Sequence, residues 1–378
     1  MIERTIFAEE HDMFRDAFRA FIETEITPHH ERWEEQGHVD RDVWLKAGEM
    51  GFLCASIPEE YGGPGADRLC SIVMIEELAR AGATGPGFGL HSEIVGPYIL
   101  AYGSEEQKRK WLPRLASGEA IGAIAMTEPG TGSDLQNVKA LAERDGNEWV
   151  LNGSKTFITN GYNADLVIVV AKTEKDAGAK GISLFLVEAG REGFDKGRKL
   201  KKLGMKAQDT AELHFDNVRL PADAILGEEG QGFRYLMQEL AWERLQIAIN
   251  AAAVMEEVLT QTIQYTRDRE AFGKQIIEFQ NTRMKLAEMK SETQIARVFV
   301  DKCIALMLEG KLDVDTAAMA KYWVSETETR VVDGCLQLHG GYGFMWEFRV
   351  ARAYADTRVH RIFGGTNEIM KELIARQL

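Results

Sequence analysis

The chain changes its hydrophobic pattern twice, and this change constrains the fold more than any other feature of the sequence. Between residues 121 and 220, four short runs rich in β-branched and aromatic residues are separated by Gly, Asn and Asp: EWVLNGSKTFIT, DLVIVVAKT, GISLFLVEA and AELHFDNVRLP. Such runs predict an antiparallel sheet or barrel. Because apolar and polar residues alternate only in part, we expect some strands to be buried on both faces.

Helical patterns lie on both sides of this β region. Upstream, SEEQKRKWLPRL places Ser104 and Gln107 at the spacing of a capping box. Downstream, apolar residues recur every three to four positions and predict three long helices, over 233–266, 279–309 and 315–336. This order lacks the strand–helix alternation and the early GxGxxG of a nicotinamide-binding parallel sheet.

We therefore predict a mainly α fold of three domains. They are an N-terminal α-helical domain at 1–122, a middle antiparallel β domain at 123–230 and a C-terminal helical bundle at 231–378.

Charge, hydropathy and cysteine content narrow the possible partners. The formal charge of -14 argues against nucleic acid and anionic membranes, which need a basic face. No apolar run approaches the roughly 20 residues of a membrane span, and the charged start is not signal-like. The four cysteines share no CxxC pair, so we expect buried thiols, no disulfide and no metal. We expect the chain to stay where it is made, in a bacterial cytoplasm or, after processing of a eukaryotic chain, in the mitochondrial matrix.

Two segments of the β region are candidates for a ligand site. AMTEPGTGSD, from Ala125 to Asp134, combines glycines and hydroxyls that can face an oxygen-rich ligand, although a plain surface loop is the alternative. TFITNG, from Thr156 to Gly161, ends a predicted strand, and an edge strand with a turn explains it equally well.

Two further segments lie in the helical C-terminal part. In YTRDREAFGKQIIEFQ, Arg269 has a planar guanidinium that can bridge a pyrophosphate, although a solvated charged turn is the alternative. In LQLHGGYGF, glycines at 340, 341 and 343 would let a ligand lie against the backbone. A helix C-cap explains one of these glycines but not all three.

Together, AMTEPGTGSD, FITNG, REAFGK and QLHGG resemble the acyl-CoA dehydrogenase family in order and spacing over essentially the whole chain. The family's helical, β and four-helix-bundle domains match the order predicted above. The resemblance implies FAD-dependent α,β-dehydrogenation of acyl-CoA thioesters to trans-2-enoyl-CoA, in fatty-acid or branched acyl catabolism. It also implies a homotetramer built as a dimer of dimers, with an electron-transferring flavoprotein as the electron acceptor.

The resemblance assigns several residues to the cofactor. Thr127 would lie on the pyrimidine side of the flavin, Ser133 toward the pantetheine of the substrate, and Thr159 near flavin N5. Phe157 stands where many members have tryptophan and keeps an aromatic wall. The segments around the flavin contribute Ala125, Met126, Thr127, Gly132, Ser133, Phe157, Ile158, Thr159, Thr366, Asn367 and Glu368. The residues that would reach the FAD of a neighbouring subunit are Arg269, Phe272, Gln280, Gln337, Leu338, His339, Gly340 and Gly341.

The catalytic base is the least conventional part of the resemblance. Many members carry a glutamate directly before the Gly-Thr of the terminal motif, where this chain, in RIFGGTNEIM, has Gly364. Members of the isovaleryl and long-chain type place the glutamate on a bundle helix directly before an arginine, and in LMQELAWERLQIA this position is Glu243.

The spacing around Glu243 supports this assignment independently of the family. Leu236, Leu240, Glu243 and Ile247 follow one another at intervals of 4, 3 and 4 residues, which puts the carboxylate on an apolar stripe. Burial would raise its pKa toward neutrality, as a general base requires. The alternative is a Glu–Arg pair at the helix surface.

The implied reaction gives each residue a role. Glu243 would remove the α proton while flavin N5 accepts a hydride from the β carbon. The backbone N–H of Gly364 would hold the thioester oxygen. Substrate contacts would come from Ser133, Glu243, Arg244, Gly364 and Gly365.

Two other functions and the identity of the acyl group stay open. A catalytically silent flavoprotein or CoA-binding module, and an oxidase or desulfinase on the same scaffold, are the rival functions. The closing half resembles the long-chain type, and Gly96 with Pro97 would leave room at the floor of the acyl pocket. Branched and terpenoid acyl groups remain alternatives.

Overall fold

The helices of the chain form two groups, one before and one after a β sheet, in a computed structural model that describes residues 2–378. The first group comprises α1 (Glu9–Phe21), α2 (His30–Gln36), α3 (Arg41–Glu49), α4 (Arg68–Ala81), α5 (Phe88–Leu90), α6 (Gly96–Tyr102) and α7 (Glu105–Ala116). The predicted capping box at the start of α7 is confirmed, because Ser104 and Gln107 exchange side-chain to backbone hydrogen bonds.

The middle of the chain forms an eight-stranded sheet in the order β6-β7-β3-β2-β4-β5-β8, with β1 beside β4. Its strands are β1 (Gly122–Ala125), β2 (Leu141–Asp145), β3 (Glu148–Thr159), β4 (Leu166–Lys172), β5 (Ile182–Glu188), β6 (Phe194–Lys199), β7 (Thr210–Pro221) and β8 (Ile225–Leu226). The four predicted β runs correspond to β3, β4, β5 and β7. As expected, β4 and β5 are buried on both faces.

The sheet differs from the prediction in one respect: it is not wholly antiparallel. β1 pairs with β4 in parallel, and one residue pair of β2 and β4 is also parallel. β1 enters the sheet directly from the N-terminal helices and leaves it into the AMTEPGTGSD loop. A parallel neighbour is possible here because the chain makes a long connection before it returns as β4.

The second helical group contains three long helices, as predicted: α8 (Gly232–Asp268), α9 (Gln280–Leu308) and α10 (Val314–His339). A small hairpin, β9 (Glu270–Ala271) and β10 (Lys274–Gln275), joins α8 to α9. Two short helices, α11 (Arg349–Asp356) and α12 (Asn367–Ala375), complete the domain. The fourth helix expected of a four-helix bundle is replaced by these two short helices. The chain between them turns at Gly364 and Gly365, where both φ angles are positive.

A buried ion network joins three helices of the two groups. Arg297 on α9 donates to both carboxylate oxygens of Glu256 on α8, at 2.7 and 2.9 Å, and to Glu76 on α4 at 2.9 Å. Burial alone would raise the pKa of Glu76, but the neighbouring Arg297, Arg4 and Arg15 lower it to about 2. The charges are thus paired inside the protein, as buried charges must be.

The cysteines are free thiols, and Cys54, Cys303 and Cys335 are buried. Cys70 is half-buried, so the expectation of burial holds for three of the four. Burial raises the pKa of the Cys303 and Cys335 thiols to about 11. Over residues 2–378, no helix combines the length and the apolar character needed to cross a membrane.

Candidate active site

A cavity of about 340 Å³ lies where the sheet meets α4, α5, α8 and α11. Seven of the sequence-predicted site residues line it: Met126, Thr127, Phe157, Ile158, Thr159, Glu243 and Gly364. The structure therefore brings together two segments of the β domain, one long helix and the terminal motif, which are far apart in sequence.

Backbone pairing sets the two β segments side by side. The N–H of Thr156 donates to the carbonyl of Thr127 at 2.9 Å, which places Thr127 beside the end of β3. The buried Lys155 donates to Glu128 at 2.8 Å and to the carbonyl of Met126 at 3.1 Å. Glu128 also accepts from two backbone N–H groups of the following segment. The ion pair therefore fixes the loop that carries Thr127.

β3 ends in an unusual backbone conformation. Phe157 and Asn160 have φ angles of 60° and 61°, a backbone region that residues other than glycine rarely adopt. Phe157 is 68% exposed although it is aromatic and lines the cavity. Phe157 is thus an exposed aromatic residue with a strained backbone beside a cavity. These properties are typical of a residue that binds a ligand rather than one that stabilises the fold.

Glu243 is one of two acidic groups on the cavity wall, the other being Asp356, and it has no ion-pair partner among residues 2–378. Leu236 and Leu240 are buried with it, so the predicted apolar stripe on α8 is confirmed. The Tyr98 hydroxyl on α6 donates to Glu243 Oε1 at 3.1 Å. Burial raises the pKa of Glu243 to about 7, although the bond from Tyr98 opposes the shift. A carboxyl with this pKa exchanges protons near neutrality.

Gly364, in the terminal motif, lines the same cavity as Glu243 and adjoins Ile247 of α8. A Cβ on Gly364 would approach Ile247 Cδ1 to 2.6 Å, and Ile247 lies one helical turn after Glu243. The φ of Gly364 is +65°, so a side chain there would also strain the backbone. The structure is thus shaped for glycine at the position where a terminal glutamate would stand.

Two buried cations hold the turn that contains Gly364. Arg244 Nε donates to the carbonyl of Gly364 at 3.4 Å, and Lys321 Nζ donates to the carbonyl of Gly365 at 2.8 Å. Burial, together with the neighbouring Arg244, lowers the pKa of Lys321 to about 7. With its carbonyls bound to these cations, the turn has a fixed orientation relative to α8.

A second cavity, of about 550 Å³, lies at the other end of α8. Five predicted residues line it: Arg269, Leu338, His339, Gly340 and Gly341. Tyr265, also on its wall, is 22 residues from Glu243 on the same helix, or roughly 33 Å at 1.5 Å per residue. Side chains of the second cavity therefore cannot reach Glu243 of the same chain.

The hairpin beside the second cavity presents Phe272 to the outside. Phe272 and Gly273 form its two-residue turn with φ angles of 54° and 78°, as a type I′ turn requires. The Phe272 side chain is 96% exposed and lines neither cavity. A fully exposed phenylalanine on a rigid turn is suited to contact with another molecule.

Other predicted site residues lie outside both cavities. Asn367 uses its amide inside the chain, with Lys321, Ser325 and Glu326, and Thr366 caps α12. Gly96 faces the core, since a Cβ there would meet Cys54 Sγ at 3.4 Å, so the prediction that it opens the acyl pocket is wrong. The predicted residues that line neither cavity are Ala125, Gly132, Ser133, Arg244, Phe272, Gln280, Gln337, Gly365, Thr366, Asn367 and Glu368.

One group of potential metal ligands lies apart from both cavities. Ligand atoms of His11, Asp67 and Cys70 lie within 4.8 Å of one another. Both ring nitrogens of His11 already have partners, the N–H of Ala8 at 2.9 Å and Asp67 Oδ2 at 2.9 Å. Asp67 also caps α4, so a role in fixing this helix accounts for the group.

Sequence reasoning missed Tyr98 and the pair of Glu128 with Lys155. A tyrosine within an apolar helix is usually a core residue, and nothing local to α6 indicates that its hydroxyl meets α8. Glu128 lies inside the AMTEPGTGSD segment. The sequence does contain one sign of its partner: in GSKTF, Lys155 stands in the middle of a predicted strand, where a charged side chain needs a counter-charge if it is buried.

Comparison with known proteins identifies the family of this chain. Family models described as the acyl-CoA dehydrogenase N-terminal, middle and C-terminal domains match residues 8–119, 123–218 and 230–378. The mitochondrial long-chain specific acyl-CoA dehydrogenase of Mus musculus is 56% identical over 377 residues, which are 99% of this chain and 88% of that protein.

Two solved structures show the same fold. The acyl-CoA dehydrogenase of Geobacillus kaustophilus has a TM-score of 0.98 and 50% identity, covering 99% of both chains. The acyl-CoA dehydrogenase of Bacillus anthracis, a complex with FAD, has a TM-score of 0.91 and 33% identity over 98% of this chain and 68% of that one. The mainly α fold with a middle sheet is thereby confirmed, and the chain belongs to the acyl-CoA dehydrogenase family of FAD-binding enzymes.

Proposed function

We propose that the chain catalyses α,β-dehydrogenation of acyl-CoA thioesters to trans-2-enoyl-CoA, with Glu243 as the base that removes the α proton. The observation that carries the proposal is the buried Glu243 on the cavity wall, with a pKa raised to about 7, in the cavity that Gly364 also lines. At neutral pH a large fraction of this carboxyl is ionised and can accept a proton.

The first cavity fits a flavin. Thr127, Phe157 and Thr159 supply backbone groups, hydroxyls and an aromatic wall to the cavity that holds Glu243, and the strained, exposed Phe157 favours a bound planar group. When bound there, FAD supplies the hydride acceptor. We assign Ala125, Gly132, Ser133, Thr366 and Glu368 to the rim of this site, with Ser133 toward the pantetheine. Asn367 acts through the backbone, because its side chain is bound inside the chain.

The protein contributes charge stabilisation at the thioester. We propose that the N–H of Gly364 donates to the thioester oxygen, where negative charge increases as the α proton leaves. Arg244 and Lys321, which bind the carbonyls of Gly364 and Gly365, keep this N–H oriented toward the substrate. Glycine at position 364 lets this turn pack directly against Ile247, where a Cβ would come within 2.6 Å of Cδ1.

The proposal is tested by anaerobic mixing of the FAD-loaded protein with a chain-length series of acyl-CoAs. Loss of flavin absorbance that depends on acyl-CoA is the expected result. A protein that binds flavin but is not bleached by any acyl-CoA would instead be a silent flavoprotein. Rapid reoxidation by oxygen would identify an oxidase rather than a dehydrogenase that uses an electron-transferring flavoprotein, the acceptor we propose.

Removing the Tyr98 hydroxyl should move the pH profile of the reaction. The hydroxyl donates to Glu243 and so favours its ionised form. In Tyr98→Phe the pKa of Glu243 should rise, and the acidic limb of kcat/KM should move to higher pH by up to about one unit, since a unit corresponds to roughly 1.4 kcal/mol. The control is Tyr102→Phe on the same helix, whose hydroxyl bonds to Glu239 at 2.7 Å. Equal profiles for both variants would contradict the role of Tyr98.

We also propose a homotetramer, a dimer of dimers, in which the second cavity binds the FAD of a neighbouring chain. The roughly 33 Å from Glu243 to Tyr265 along α8 supports this, because Arg269 cannot reach the Glu243 end of the first cavity of its own chain. Phe272, Gln280 and Gln337 would contact the cofactor from the same neighbour, together with the glycines at 340 and 341.

Arg269→Ala should weaken FAD retention and subunit assembly together, because one guanidinium would serve both. The matched control is Arg267→Ala, an exposed arginine two residues earlier that lines neither cavity. Flavin content after gel filtration and the sedimentation coefficient measure the two effects. Full flavin content in an unchanged assembly would reject the shared site.

A further inference from the structure

The first cavity continues beyond Glu243 along α8. The side chains that α8 contributes to its wall are Glu243, Gln246, Ile247, Asn250 and Val254. They span 11 residues, or roughly 16 Å at 1.5 Å per residue. Ile75, Leu78 and Ala79 of α4 line the same cavity. The space between α4 and α8 therefore forms a distal part of the cavity, which extends away from the base.

This distal part is not uniformly apolar. Three polar atoms in it are buried and have no hydrogen-bond partner: Thr84 Oγ1, Gln246 Nε2 and Arg349 Nε. The amide of Asn250, one turn after Gln246, also makes no hydrogen bond within residues 2–378. Buried polar groups are nearly always satisfied, so several unsatisfied groups along one cavity indicate a missing ligand.

Arg349 is the most unusual of these residues. Its Nη2 donates to the carbonyl of Ala79 at 3.0 Å, which fixes the guanidinium at the end of α4. Within residues 2–378 it forms no ion pair; burial lowers its pKa, and the carboxylates of Asp356, Glu257 and Glu328 oppose this shift. Arginine is rarely buried without a carboxylate or phosphate partner. Thr84 lies just beyond the same helix end, so its hydroxyl is available to the same ligand.

A plain alkyl chain would satisfy none of these groups. It would displace water from the guanidinium and the two amides without offering them a hydrogen-bond acceptor. Each polar group left unpaired in this way makes the binding free energy less favourable. A carboxylate at the far end of the chain would provide the acceptor-only, negatively charged group that a guanidinium binds best. Its methylene groups would still pack on Ile75, Leu78 and Val254.

We propose that this cavity takes long acyl-CoA thioesters whose far end carries a carboxylate, bound by Arg349 and Thr84. The amides of Gln246 and Asn250 add uncharged donors along the path from Glu243. The inference rests on the proposed function, since it concerns the far end of the chain whose α carbon faces Glu243. It adds a charged recognition element at the end of the cavity remote from the thioester.

The test compares three acyl-CoAs of equal chain length that end in a methyl group, a carboxylate or a methyl ester, over a series of lengths. With the FAD-loaded protein, the ω-carboxylate is expected to have the highest kcat/KM at its best chain length, by roughly ten- to a hundredfold, the worth of a charge-assisted hydrogen bond. Arg349→Met should remove this advantage, because the carboxylate loses its partner and the methyl-ended chain no longer leaves a guanidinium unpaired. The control is Arg352→Met on the same helix, whose Nε bonds to the carbonyl of Trp346 at 2.9 Å.

Binding measured without turnover gives a second readout. In Glu243→Gln protein, the ω-carboxylate should bind more tightly than the methyl-ended chain by calorimetry, and adding Arg349→Met should abolish the difference. If Arg349→Met does not fold, Thr84→Val is a smaller change that should reduce the preference severalfold.

The outcomes separate this inference from the proposed function. If no acyl-CoA bleaches the flavin, the proposed function fails. If methyl-ended chains bleach it and the ω-carboxylate gives no advantage at any length, the inference is overturned. It is also overturned if Arg349→Met lowers all three substrates equally or loses its flavin, because Arg349 would then serve the fold or the cofactor.

Discussion

Glu243→Gln is expected to slow reduction of the bound flavin by acyl-CoA by roughly two to four powers of ten, the usual contribution of a positioned base. Glutamine keeps the size of the side chain and can still receive the hydrogen bond from Tyr98, so FAD and acyl-CoA should bind as before. It cannot take up the α proton. Stopped-flow absorbance under anaerobic conditions measures the reduction step directly.

The control for this variant is Glu239→Gln, the same substitution one helical turn earlier. Glu239 accepts a hydrogen bond from Tyr102 at 2.7 Å and does not line the cavity. Its rate of flavin reduction should stay within a few fold of the parent. An active Glu243→Gln protein, or an equal loss in both variants, cannot be reconciled with Glu243 as the base.

Arg297→Met should destabilise the protein by about 3–5 kcal/mol, because it removes the shared partner of two buried carboxylates. Glu256 would lose a bidentate bond and Glu76 one of its three arginines. We expect a value near the lower end, since Arg80 still bonds to Glu256 at 2.7 Å. Denaturant unfolding of the FAD-loaded protein at fixed concentration measures the loss.

The matched control is Arg330→Met, which also removes an arginine that bridges two bundle helices. Arg330 on α10 bonds to Glu292 on α9 at 3.2 Å, but both side chains are exposed to solvent. Exposed pairs contribute at most about 1 kcal/mol. If the two variants lose the same stability, the buried network does not hold α4, α8 and α9 together.

Local patterns in the sequence predicted most of the fold. The long helices and four strands have strong periodicity over many residues, and their observed bounds differ from the predicted ones by a few residues at most. The parallel pairing of β1 with β4 was not predictable in this way. It joins segments more than forty residues apart, and four residues such as GAIA carry no information about their partner.

The site was predictable where a side chain's role follows from its own helix. Glu243 could be placed because its stripe on α8 and the glycine at position 364 are both visible in the sequence. Tyr98 and Arg349 were missed, because their significance depends on contacts between helices. Gly96 was misjudged for the same reason. The sequence shows that position 96 has no side chain, but it does not show whether this position faces a cavity or the core.

The separation of the two cavities along α8 has a genetic consequence. In the proposed assembly, each complete site takes Glu243 from one chain and Arg269 from another. A chain that lacks the base and a chain that lacks the arginine would then be inactive alone, yet in a mixed oligomer one of their two shared sites would combine two intact halves. Alleles with lesions in different cavities would complement each other, whereas alleles with lesions in the same cavity would not.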